Sequence, residues 1–90
     1  MPILKVYLYF AGSVPSREEI ERKIGLVVKK YFKDVVDIRA MLAHPYAEKE
    51  YSVFITYGYR MFPETKEEIS KIERKIASAV GASEARIEQI

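Results

Sequence analysis

The hydrophobic pattern changes period twice, in the same order each time, and this recurrence limits the possible folds more than any other feature of the chain. Leu4, Val6, Leu8 and Phe10 alternate with Lys5, Tyr7 and Tyr9. A period of two predicts a strand with one buried face. The segment from Ala11 to Pro15 breaks the run. Ser16 then precedes Glu19 at the spacing of a capping box, and Ile20, Ile24, Val27, Val28 and Tyr31 follow at helical intervals to a stop near Phe32, Lys33 and Asp34.

The same plan then returns. Val36, Ile38, Ala40 and Leu42 alternate with Asp37, Arg39 and Met41, which predicts a second strand. His44 to Glu48 reads as a hairpin connection, because Pro45 has no amide to donate to a ladder. A third strand is predicted from about Glu50 to Met61. It carries Tyr51, Val53, Ile55, Tyr57 and Tyr59 on one face and Ser52, Phe54, Thr56, Gly58 and Arg60 on the other. Thr65 and Glu68 repeat the capping box after Pro63, and Ile69, Ile72, Ile76 and Val80 form a helical stripe ended by Gly81. Ala85 to Ile90 closes the chain as a short strand. Ser16 to Ile20 and Thr65 to Ile69 echo each other, as any two good helix starts would.

Strand–helix–strand taken twice predicts an α+β fold. The economical arrangement is ferredoxin-like, a split βαβ (βαββαβ) with a four-stranded antiparallel sheet, first and third strands central, and both helices on one face. Ninety residues make this one domain, residues 1–90, and 49% hydrophobic content with four Gly and four Pro supports a core. No Cys is present, which excludes disulfides, thiolate zinc sites and thiol catalysis. No apolar run approaches the ~20 residues of a membrane span. The first residues lack the layout of a signal peptide, so a cytoplasmic chain is expected. Asn is absent and Gln89 is the one Gln, while Lys and Glu abound, a bias that points to a thermophile. A net charge of +2 does not by itself imply a nucleic-acid partner.

Activities known on such a scaffold have to be looked for at residues. The length and element order resemble acylphosphatase, a family that sets an Arg in a glycine-rich phosphate loop after the first strand and positions water with an Asn. Here that loop holds Gly12 alone, no Arg precedes Arg17, and there is no Asn. Heavy-metal-binding domains of this shape need a Cys pair in the same loop. Nucleases of CRISPR adaptation, similar in size and topology, end the first strand on an Asp where this chain has Tyr9, Phe10 and Ala11. His44 is the one ordinary neutral-pH titrating side chain, and beside Pro45 it reads as a turn residue for which no nucleophile–base–orienter set can be assembled. The expectation is no enzyme, no cofactor, no metal and no small-molecule substrate.

What remains is the side of the sheet that the helices leave uncovered. The alternation places Lys5, Tyr7 and Tyr9 there, with Arg39 and Met41 from the second strand and Phe54, Thr56 and Arg60 from the third. Aromatics on two middle strands interleaved with cations resemble the RNA-recognition motif, which stacks bases on such rings. The stretch Lys49 to Phe54 lacks the glycine of that family's third-strand signature. Pro15 to Ile20 and Val35 to Ile38 are similar to the helix-and-strand segment of an archaeal and eukaryotic small-subunit ribosomal protein with an RNA-binding role. That likeness covers about a third of the chain and lacks the family's later Phe-Gly and Gly-x-Ala positions and its basic tail. The same face suits a two-fold protein interface, where aromatics and Met are enriched. Lys29, Lys30 and Lys33 read as cations favourably placed at a helix C-terminus. The expected partner is therefore a second copy or another protein, met at the open face or edge of the sheet, with single-stranded nucleic acid as the alternative.

Overall fold

A computed structural model describes residues 1–89; Ile90, expected to end the last strand, lies outside the described residues. The elements run β1 (Ile3–Tyr9), α1 (Arg17–Val28), β2 (Phe32–Lys33), β3 (Asp37–Leu42), β4 (Glu50–Thr56), β5 (Tyr59–Arg60), α2 (Lys66–Val80) and β6 (Glu84–Gln89). One four-stranded antiparallel sheet has the order β3-β4-β1-β6, so the first and third of the expected strands are its centre. β2 and β5 form a separate two-stranded ribbon. Among the described residues the architecture is mixed α+β, with two helices and no closed barrel.

Period-two alternation sets the inner face. Leu4, Val6, Leu8 and Phe10 are fully buried, joined by Val53 and Ile55 of β4 and Ala40 of β3. Ile20, Ile24 and Val28 of α1 and Ile72, Ile76 and Val80 of α2 complete this one cluster, so both helices cover the same face of the sheet. Each of these aliphatic side chains contributes about 1.5–3 kcal/mol through its removal from water. The helix starts are those the sequence marks: Ser16 Oγ accepts from the Glu19 N–H at 3.2 Å and Thr65 Oγ1 from the Glu68 N–H at 3.2 Å. Gly81 ends α2 in the left-handed region at φ 76°. Among the described residues no helix is long and apolar enough to cross a membrane.

Two expectations need correction. The third strand stops at Thr56 rather than Met61, and α1 stops at Val28 rather than near Phe32. Both corrections have one cause. Tyr57 keeps the inward parity of Val53 and Ile55 and packs its ring 4.6 Å from that of Phe32, and beyond it the chain pairs with residues 31–33 in place of the sheet. The Gly58 N–H then donates to Lys33 O at 2.8 Å, Tyr59 and Arg60 pair with β2, and the Met61 N–H donates to Tyr31 O at 2.8 Å. Phe62 adds edge-on contacts to Phe32 at 5.3 Å and Tyr31 at 6.3 Å, making an aromatic corner beside the main core.

Candidate functional site

The face of the main sheet turned away from the helices is built in rows. Register places Arg39, Phe54 and Lys5 in one row across β3, β4 and β1, and Met41, Ser52, Tyr7 and Arg86 in the next across all four strands. Glu50, Tyr9 and Glu84 form a third. Tyr9 is 38% exposed, Met41 44% and Ile3 48%, whereas Ser52 is buried between the larger side chains beside it. Seven of the eight residues placed here from the sequence, Lys5, Tyr7, Tyr9, Arg39, Met41, Phe54 and Thr56, therefore share one surface.

Arg60 does not join them. It lies on the β2–β5 ribbon and pairs with Glu64 at 3.0 Å. Its expected place followed from counting alternation through Gly58, where the strand has already ended.

The aromatic rings are partly covered by the chain's own cations. The Arg86 guanidinium lies 4.7 Å from the Tyr7 ring centroid, and the Lys5 ammonium 6.0 Å from that of Phe54. Each of these cations also has a carboxylate: Lys5 with Glu88 at 3.9 Å and Arg86 with Glu84 at 3.2 Å, while Arg39 pairs with Asp37 at 3.0 Å. With Glu50, the face holds three basic against four acidic side chains.

At one end of the face, Tyr7, Glu50 and His44 stand in line. The Tyr7 hydroxyl donates to Glu50 Oε1 at 2.5 Å, and Glu50 Oε2 lies 3.2 Å from His44 Nε2. Glu48 and Glu50 both lie near His44 in the sequence, without a catalytic set to be read from them; the β3–β4 hairpin brings Glu50 beside the ring. The bond from Tyr7, followed by that from His44, holds the Glu50 carboxyl below its usual range. The same bond, helped by burial and by the Glu50 charge, pushes the Tyr7 phenol up to about 12. Both groups move away from neutrality, which suits a fixed strut and opposes proton transfer at ordinary pH.

Sequence reasoning noted Glu50 only as a neighbour of His44, not as part of this face, and missed the whole contribution of β6. Both had a signal: Glu50 shares parity with Ser52 and Phe54, and Glu84, Arg86 and Glu88 alternate with Ala85 and Ile87. Among the described residues no cluster of three His, Asp, Glu or Cys side chains is placed to hold a metal ion. The chain matches no protein-family model, no curated protein and no solved structure.

Proposed function

We propose that this chain is a small, non-enzymatic binding domain of ferredoxin-like topology that docks the open face of its sheet against a second copy of itself. The order β3-β4-β1-β6, with a helix between β1 and β3 and another between β4 and β6, supports the topology. One observation carries the choice of partner. The cations of the open face are compensated within the chain, while Tyr9, Met41 and Ile3 stay exposed among them. A surface that is charge-balanced and apolar in patches complements itself, as a two-fold interface requires. Four strands about 4.8 Å apart and seven residues of about 3.3 Å each give a footprint of roughly 19 by 23 Å. Roughened by side chains and doubled, such a face falls toward the low end of the ~1,200–2,000 Å² typical of specific interfaces, which corresponds to reversible association. The reading includes a cytoplasmic setting, in keeping with a chain that has no Cys.

The nucleic-acid alternative, with Tyr7, Tyr9 and Phe54 as stacking surface and Lys5, Arg39 and Arg60 as phosphate contacts, has less behind it. Stacking on Tyr7 or Phe54 would displace Arg86 or Lys5, and Arg60 belongs to the other ribbon. Sedimentation equilibrium separates the readings. A dimer dissociating in the micromolar range is expected, weakened at least tenfold by Tyr9→Ala and Met41→Ala with little change in Tm. A monomer at millimolar concentration that binds single-stranded RNA at low salt would overturn the proposal in favour of the alternative.

A further inference from the structure

The outer strands β3 and β6 are the places where another strand could add, because an edge strand turns alternate N–H and C=O groups outward. Near the middle of β3 the Ala40 N–H donates to Glu21 Oε2 of α1 at 2.7 Å. Within β6 the Ile87 N–H donates to Glu73 Oε2 of α2 at 2.7 Å. Two glutamates on different helices thus reach opposite edges of one sheet and make the same bond at the same length. Each lies in a cleft running along its edge, of about 450 Å³ between α1 and β3 and about 310 Å³ between α2 and β6. A solvated helix flank is the ordinary place for a glutamate, and neither helix needs these side chains to point inward.

We infer that Glu21 and Glu73 are a matched pair of edge guards. Each carboxylate takes the position that a partner strand's carbonyl would hold, so a second copy of this chain is refused at both edges. Beneath the guards, β3 and β6 are latent strand-addition surfaces whose natural partner is the opposite edge of another copy. Because the two edges differ, such pairing is heterologous and open-ended, producing filaments in place of closed dimers. The inference is independent of the open-face proposal: the guards close the edges whether or not copies meet face to face.

Amide exchange by NMR, paired with sedimentation velocity on the full chain, tests it. Glu21→Ala should speed exchange of the Ala40 amide at least tenfold and leave Ile87 unchanged, with the converse for Glu73→Ala. Glu21→Gln and Glu73→Gln, whose side-chain oxygens still accept, should keep most of the protection. The Glu21→Ala/Glu73→Ala double variant should form large, concentration-dependent assemblies that the parent chain does not. Unchanged exchange at Ala40 and Ile87 in the alanine variants overturns the guard role, as does a folded double variant with the parent's mass distribution. If the double variant does not fold, the single-variant exchange rates decide. A parent chain that stays monomeric counts against the open-face proposal alone.

Discussion

The Tyr7 hydroxyl reaches diagonally across the β1–β4 pair to Glu50, with Tyr7 itself opposite Ser52 and Glu50 opposite Tyr9. The bond favours the protonated phenol and the ionised carboxylate together. Tyr7, pushed up to about 12 by this bond first, contributes stability that is fully present below the ordinary tyrosine value of ~10 and is lost as pH rises through about 12. Glu50, held below its usual range, contributes stability that is present above the ordinary carboxylate value of ~4.3 and is lost as pH falls through its depressed one. Between those limits the strut stays closed. Following phenolate formation residue by residue through the tyrosine ζ-carbon shifts should show Tyr7 ionising near 12, and Glu50→Gln should move it back toward 10. An unshifted Tyr7 in the parent chain would refute the assignment.

Gly58 is the point where the third strand leaves the sheet, and its lack of a Cβ is what lets the chain leave. A Cβ there would lie 2.9 Å from Asp34 Cβ and 3.2 Å from Lys33 O. Asp34 itself sits in the left-handed region at φ 56°, a conformation that Asp tolerates better than most residues. Gly58→Ala should cost about 1–3 kcal/mol through overpacking. Asp34→Gly removes the nearer obstacle, so the loss from Gly58→Ala should shrink in that background. Urea denaturation of the four members of this cycle measures the coupling. Additive effects would mean that the clash is relieved elsewhere.

The main sheet and helices were legible because each obeys a single period over enough residues. Leu4 to Phe10 alternate without interruption, and both helix starts pair a Ser or Thr cap with a later Glu. The β2–β5 ribbon was not legible, since two-residue strands are too short to show a period. Their pairing depends on Tyr57 and Phe32 meeting across 25 residues of sequence, a contact no local pattern records. Arg60 was misplaced for that reason. The open face was readable strand by strand, but its electrostatics only in part. Asp37 and Glu84 stand two residues from Arg39 and Arg86 on the same strand faces, but only the pairing of β6 with β1 brings Glu88 beside Lys5.

Phe32 joins the ribbon to the main core. It is essentially fully buried, with edge-on contacts to Tyr57 at 4.6 Å and Phe62 at 5.3 Å. Phe32→Ala should cost about 3–5 kcal/mol, the range for truncating a buried aromatic. Phe62→Ala should cost less, because Phe62 is only half-buried and packs at the rim of the cluster. Thermal or denaturant unfolding gives both values, and equal losses would show that the corner has no separate centre.

Salt provides the last test. Attraction that relies on uncompensated cations weakens steeply as ions screen it, and nucleic-acid binding adds counterion release, with log K falling by ~0.7 per phosphate contacted on a single strand. The open face offers no such excess. Lys5, Arg39 and Arg86 are each within 4 Å of a carboxylate of the same chain, and Arg86 is also held over the Tyr7 ring. Exposed pairs of this kind are individually weak, but they leave little net field for a partner to feel. For the proposed self-association, burial of Tyr9, Met41 and Ile3 would be the remaining drive, and hydrophobic burial is insensitive to moderate salt. The dissociation constant of the dimer should therefore change less than about threefold across a tenfold rise in ionic strength, against a loss of roughly tenfold or more for a ligand making two phosphate contacts. A steep salt dependence would mean that the ion pairs open on association, and that charge drives the contact.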